Sequence, residues 1–417
     1  MTRTLLIGQS GGPTSVINAT VYGAVREAQL QGMRVLGMYH GIEGVLKSEY
    51  VDFSDVPHDE FEKLPHTPGA WLGTCRYKLK DGDIPRILDA ATNYPFGADA
   101  LFYIGGNDSA DTSNQLAQAA NGKLLVIGGN KTMDNDLVRT HFCNGYPSAA
   151  RYLIDLVRAQ ARDASSMPPR NEIVLIEALG RDAGWVTGAA VLAAEPHGPR
   201  MLTYLPERPI SVDYVLSDVE HALNDSGLAV VVMSEGLRDM SGELYAGSNK
   251  TDAFGHVQHG DRTVTDMFTQ VFASRGYKVR KIQPGTYVRA AMQLVSDIDR
   301  ASAEAAGRYA VQALGEGKSG FMVTNRAPVY VQPDGPHAVV SGDRPAYVPF
   351  DLTPLERIAN NVRPVPDEWI NSESNGVTGE FADYLRPLIG PLPEFARPAP
   401  VRNARTFPVL ELVAAGG

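Results

Sequence analysis

Two stretches, Leu101-Phe-Tyr-Ile-Gly-Gly-Asn-Asp-Ser109 and Leu124-Leu-Val-Ile-Gly-Gly-Asn-Lys-Thr-Met-Asp-Asn-Asp136, share one form. Each is a short apolar run, then a glycine pair, then polar and acidic residues. A polar, helix-like segment joins them. Strand, turn and helix in succession is the pattern of an α/β fold with parallel strands. In such sheets ligands bind just past the carboxyl ends of the strands, and glycines there let backbone N–H groups approach a phosphate. The second turn adds Lys131 and the carboxylates of Asp134 and Asp136. That set suits phosphoryl transfer: a lysine screens phosphate charge, a carboxylate holds a metal, and a carboxylate takes a proton from a hydroxyl. One Gly-Gly after a strand is ordinary turn chemistry. Two on neighbouring strands, one leading into Asp-Asn-Asp, point to a ligand site. The sequence holds no Walker lysine motif and no kinase catalytic-loop motif.

The same design opens the chain. Leu5-Leu-Ile7 is a strand, Gln9-Ser10-Gly11-Gly12-Pro13 a tight turn, and 14–31 a helix with Ile17, Val21, Ala24 and Ala28 on one face. A loop at 66–78 carries Arg76 and Lys78. An amphipathic helix over 146–164 leads to a second half. There, a strand at 173–176 runs into Leu179-Gly180-Arg181, and a strand at 229–233 runs into Ser234-Glu235-Gly236. Arg181 at such a turn suits an anionic group, with a surface ion pair as its plain alternative. Glu235 suits sugar hydroxyls or a helix cap. Residues 238–262 read as a polar loop whose His256 and His259 lack a third metal ligand. Arg280 and Arg289, near a strand and a Pro-Gly turn, form a pair able to clamp a phosphomonoester. A helix follows at 297–314, an insertion at 326–350 and a helix at 352–359. The tail through Trp369, Tyr384 and Pro391 reads as irregular, with 392–408 wrapping the surface.

The fold expected is α/β, with two parallel-sheet, Rossmann-like αβα domains and the active site in the cleft between them. Residues 1–145 plus 290–351 form one expected domain, and 146–289 plus 352–417, with a C-terminal extension, the other; the family resemblance that follows implies that the first holds the phosphoryl donor and the second the sugar phosphate. The chain has 417 residues, 43% of them apolar, enough for two cores. A net charge of -10 argues against nucleic acid as a partner. No apolar run approaches the roughly 18 residues that span a membrane, and the opening residues read as a strand, not a signal peptide. Cys75 and Cys143 are the only cysteines, which favours reduced thiols and a cytoplasmic location.

Gly105-Gly106-Asn107-Asp108-Ser109 and Thr132-Met133-Asp134-Asn135-Asp136 resemble the signatures of the bacterial-type phosphofructokinases. The resemblance continues at Ser10-Gly11-Gly12, Leu179-Gly180-Arg181, Ser234-Glu235-Gly236 and Pro284-Gly285-Thr286-Tyr287-Val288-Arg289. It implies transfer of a phosphoryl group to C1 of fructose 6-phosphate with Mg²⁺, on a homodimer or homotetramer. Asp134 becomes the base for the sugar 1-hydroxyl, and Asn107 and Asp136 become metal ligands. Gly11, Arg76, Gly106, Asn107 and Ser109 face the donor. Thr132, Met133, Asp134, Leu179, Gly180, Arg181, Glu235, Arg280, Thr286, Tyr287 and Arg289 face the sugar phosphate.

Departures from the family pattern carry information. ATP-using members have glycine where this chain has Asp108, leaving room for an α-phosphate. A carboxylate there fills that space, and like charges at ~4 Å in an effective dielectric of ~20 repel by about 4 kcal/mol. Members with aspartate here use inorganic diphosphate, so Asp108 with Lys131 marks diphosphate as the donor; because diphosphate and the product ester are not far apart in energy, easy reversal is expected. ATP-dependent phosphofructokinase and a non-catalytic sugar-phosphate sensor are the alternatives. Glu172, with Arg170 two residues earlier, stands where the bacterial enzyme has a cross-subunit arginine, and Thr286 stands where it has a histidine. Tyr22 replaces an effector-site arginine, which implies weak ADP regulation.

Overall fold

The computed structural model describes residues 3–167, 172–196, 198–251, 257–259, 262–330, 339–341 and 344–396. Arg170, His256 and the stretch from 397 onward lie outside the described residues.

Nine strands build the core of the molecule in chain order: β1 Thr4–Gln9, β2 Arg34–Met38, β3 Tyr50–Asp52, β4 Ala100–Gly105, β5 Leu125–Asn130, β6 Glu172–Ala178, β7 Arg200–Tyr204, β8 Leu228–Ser234 and β9 Lys278–Ile282. Two late strands, β10 Phe321–Asn325 and β11 Phe350–Pro354, return to the first sheet. That sheet has the order β11-β10-β5-β4-β1-β2-β3, and the second has the order β9-β6-β8-β7. The central strands are mostly apolar and fully buried, as expected when helices cover both faces of a parallel sheet. The second sheet is parallel throughout, whereas β3 and β11 run antiparallel at the edges of the first.

Register sets the site. Ile104 of β4 lies beside Gln9 of β1, and Gly105 lies beside Asn130 of β5. All three strands therefore end at one level, and their turns touch. The Ser10 N–H donates to the Ile104 carbonyl at 2.9 Å, and the Lys131 N–H to the Gly105 carbonyl at 3.0 Å. In the second sheet Ala178 lies beside Ser234, so the Arg181 and Glu235 turns are also neighbours.

Helix α1, Ile17–Leu30, packs on α4, Asp297–Gly315. Helix α2, Asn107–Ala120, starts in the first glycine turn, and α3, Tyr146–Ser165, leads to the second sheet. Helix α5, Gly379–Ile389, packs on α3.

Five expectations are corrected. The helix read at 352–359 is strand β11 and a short 3-10 turn, Leu355–Arg357. Its strand pairs with β10 and carries the first sheet past the expected boundary at 351. The tail is not irregular, since α5 forms within it. The glycine pair before Lys131 sits inside β5 and does not open the turn. A Cβ on Gly129 would come within 2.8 Å of the Phe102 ring, so that glycine serves packing between strands. Within the segments read as a polar loop and an insertion, short strands form, among them Gly247–Thr251 and Arg344–Tyr347.

Candidate active site

The turns after β1, β4 and β5 enclose one cleft. Its wall includes Gly11, Arg76, Gly106, Asn107, Asp108, Ser109, Lys131, Thr132, Met133, Asp134 and Arg289. The sequence-predicted donor residues thus meet in one place, although they come from three separate segments. Ser109 donates its hydroxyl to Ser10 at 2.8 Å, which ties the first and second turns together.

Three cations converge here. Lys131 is buried and donates to the Gly12 carbonyl. Burial, and next the Arg289 guanidinium, lower its pKa to about 8. Arg289 is itself lowered by burial and then by Arg76. Gly12 permits this crowding, because a Cβ there would lie 2.1 Å from Arg289 Nη1. Gly11 takes a φ of +70°, a left-handed conformation in which glycine carries no penalty. A buried lysine depressed by a neighbouring guanidinium, with a second guanidinium close by, calls for an anionic ligand.

Asp134 lines the same cleft, and both it and Asp136 lie near enough to act on Lys131. Burial pushes the Asp134 carboxyl up to about 7, helped by the charges of Asp136 and Glu235. Burial also raises Asp136. Asp136 Oδ1 is buried and without a hydrogen-bond partner. The Thr132 hydroxyl accepts the Asp134 N–H at 3.1 Å and so shapes the turn. A carboxylate poised near neutrality is suited to accept a proton.

The second sheet supplies the facing wall. Glu235 accepts the Gly180 N–H at 3.1 Å, and Ser234 donates its hydroxyl to the Gly180 carbonyl at 2.7 Å. These bonds lock the Leu179-Gly180-Arg181 turn against the Glu235 turn. Glu235 acts on both Asp134 and Arg289, and Asp182 acts on Asp136, so the two sheets present their carboxyl ends to one another.

Four expected residues stand elsewhere or are otherwise employed. Arg280, on edge strand β9, is not on the cleft wall. Its Nε donates to Glu172 at 3.0 Å, and its Nη1 pairs with Asp163. Within one chain its charge is met by acids, not offered to a sugar phosphate. Asn107 reaches the cleft, but its carbonyl oxygen, expected on a metal, accepts the Asn360 N–H, and its amide donates to the Asn361 carbonyl. Tyr287 is 52% exposed and stacks edge-on against Tyr152. Thr286 beside it is also exposed. Among the described residues no group of three His, Cys, Asp or Glu is arranged to hold a metal.

Residues that the sequence reading passed over surround the turn that carries Asp134 and Asp136. Arg363 donates to the carbonyls of Asn135, Thr140 and His141, and Tyr384 exchanges hydrogen bonds with Asn135 and His141. Their partners are mostly main-chain atoms, which leave no motif in the sequence.

The phosphofructokinase family description matches residues 4–314. The chain belongs to the phosphofructokinase family. It is 36% identical over 397 residues to the pyrophosphate–fructose 6-phosphate 1-phosphotransferase of Xanthomonas campestris, covering 92% of this chain and 91% of that protein. A relative of the same name from Rhodospirillum rubrum is 32% identical, with 93% and 94% covered. Among solved structures, the pyrophosphate-dependent phosphofructokinase from Marinobacter aquaeolei superposes with a TM-score of 0.79 at 29% identity, covering 94% of both chains. As a phosphofructokinase the chain has the expected α/β architecture of parallel sheets. No described helix is long and apolar enough to cross a membrane.

Proposed function

We propose that this phosphofructokinase transfers a phosphoryl group from inorganic diphosphate to the 1-hydroxyl of fructose 6-phosphate. The products are fructose 1,6-bisphosphate and phosphate, and the reaction runs in both directions. The observation that carries the reading is the joining of Lys131, Arg76 and Arg289 with the raised Asp134 carboxyl in one cleft. The names of the relatives support it, and Asp108 on the cleft wall supports diphosphate over ATP.

In this reading diphosphate lies against Gly11 and Gly12 with its charge met by Lys131 and Arg76. Arg181 and Glu235 bind the sugar phosphate from the facing wall, and Arg289 lies between the two. Asp134 takes the proton of the 1-hydroxyl as that oxygen attacks the nearer phosphorus. The bond to the leaving phosphate breaks, and Lys131 steadies the charge that develops on it. In reverse, Asp134 returns the proton.

A magnesium ion fits the residues present. It commonly takes one or two carboxylates and completes its shell with phosphate and water, and the unpartnered Asp136 Oδ1 is such a ligand. The ion would offset phosphate charge. Asp136 would hold it, since the Asn107 oxygen already accepts from Asn360. The two buried, unlinked cysteines support a cytoplasmic enzyme.

A coupled assay with each donor tests the proposal. Fructose 1,6-bisphosphate should form with diphosphate, and turnover with ATP but none with diphosphate would overturn it.

A further inference from the structure

The turn bearing Asp134 and Asp136 is braced from behind by residues that lie beyond the family match at 4–314. Asn135, between the two aspartates, has a φ of +56°. Asparagine tolerates this left-handed conformation better than most residues, but it still persists only when its surroundings impose it. Here they do. The Asn135 side chain accepts the Cys143 N–H at 2.9 Å and donates to the Tyr384 hydroxyl at 2.9 Å. Its carbonyl accepts from Arg363 Nε at 3.1 Å and Nη2 at 2.8 Å. Arg363 Nη1 donates to the Thr140 and His141 carbonyls, and the Arg363 N–H donates to the Asp136 carbonyl at 2.7 Å.

Four side-chain hydrogen bonds of Arg363 go to main-chain carbonyls. The guanidinium also lies 4.6 Å from the centre of the Trp185 ring. This is use of a planar fork to fix backbone shape, which a lysine cannot reproduce.

The same segment reaches the facing wall. The Arg363 carbonyl accepts from Trp185 Nε1 at 3.0 Å. The Val365 N–H donates to Glu207 Oε1 at 2.8 Å, and that oxygen also accepts the Gly184 N–H at 2.8 Å. Gly184 and Trp185 end the loop that carries Arg181. Residues 363–365 therefore grip the base-bearing turn with one set of bonds and the sugar-side loop with another.

We propose that Arg363 is a positioning residue: with Tyr384 it holds Asn135 in its left-handed conformation, aims Asp134 and Asp136 into the cleft, and sets the spacing between the two cleft walls. The proposal rests on the reading of Asp134 as the base. Without the brace the turn relaxes toward ordinary backbone conformations, and misplacement of about 1 Å costs a catalyst up to roughly 10²-fold.

The test uses full-length Arg363→Met, Arg363→Lys and Tyr384→Phe, with two readouts. Steady-state kinetics should show kcat at least about tenfold lower in both Arg363 variants, with both KM values within about threefold, a split that marks an interaction felt mainly in the transition state. Lysine should not rescue. Tyr384→Phe keeps the ring packed on Trp185 and Phe381 and loses only the hydroxyl, so kcat should fall about threefold on the same scale. Hydrogen exchange of the amides at 137–146 should quicken in all three. If wild-type protein shows no turnover with diphosphate and fructose 6-phosphate, the proposed function fails, and exchange alone judges the brace. Unchanged exchange at 137–146, or a folded Arg363→Met whose kcat stays within about twofold, overturns the proposal. Should Arg363→Met not fold, Tyr384→Phe decides by the same two measurements, and normal values for both overturn it.

Discussion

The Lys131 ammonium lies 2.8 Å from the Gly12 carbonyl oxygen, although the two residues sit in turns that follow different strands. Strand β5 is thereby pinned to the turn after β1. The same carbonyl-bearing glycine leaves the space into which Arg289 fits. One lysine thus shapes the donor wall as well as charging it, and its protonation state controls both.

Donor capture should therefore weaken in mild alkali. The Lys131 pKa is lowered to about 8, and the ammonium is the form that binds an anion. Raising the pH through that value removes it, so kcat/KM for diphosphate, which reports groups of the free enzyme, should decline above about pH 8. Lys131→Arg should remove the decline, even at a lower absolute rate. Initial rates across pH for both proteins check this, and an unchanged decline in the arginine variant would assign it to another group.

Loss of the Asp134 carboxylate should strike the chemical step. Asp134→Asn should lower kcat by at least ~10²-fold while affinity for both substrates changes little, the usual scale for losing a general base. Near-normal kcat would remove Asp134 from that role.

Donor choice should follow Asp108. It is the second residue of α2 and lines the cleft, where its charge opposes an α-phosphate. Asp108→Gly should remove a repulsion of about 4 kcal/mol, lower diphosphate use and raise ATP use. The measurement is kcat/KM for each donor. Specificity that stays put in a folded, sugar-binding variant would move the gate to another residue.

Stability should carry its own pH signature through Asp299. This aspartate is buried on α4 and accepts the Gly145 N–H at 2.8 Å and the Ser148 N–H at 3.1 Å. Burial nonetheless raises its pKa from 3.8 to about 6. The folded state holds the proton more tightly than the unfolded chain. The resulting stabilisation is fully present below about pH 4 and is lost as pH rises through about 6. A shift of this size corresponds to about 3 kcal/mol. Denaturant unfolding of Asp299→Asn should show a flatter dependence over that window, and identical slopes would exclude Asp299 as its source.

Much of the cleft was legible in the sequence because its chemistry is local. Lys131, Asp134 and Asp136 sit within one turn, and apolar runs before each turn announce the strands that hold them. Register then does the rest, since strands ending at one level must bring their turns together. What escaped depends on partners distant in the chain. Arg280 read as a free cation because Asp163 and Glu172 are not its sequence neighbours. The helical reading at 352–359 failed because a short edge strand, alternating Phe350, Asp351, Leu352 and Thr353, is too brief to outweigh the apolar spacing that follows. Arg363 and Tyr384 bond chiefly to backbone atoms, and no side-chain pattern records such contacts.

Strands β10 and β11 complete the first sheet from residues 321–354, after the entire second sheet has been made. During synthesis on the ribosome, β5 consequently waits with one edge uncovered while the intervening chain is translated. The second sheet is contiguous, from 172 to 282, and is free to form first. The brace at Arg363 emerges later still. Nascent chains that stop short of it would contain Asp134 and all three cations of the cleft yet lack the contacts that shape the turn.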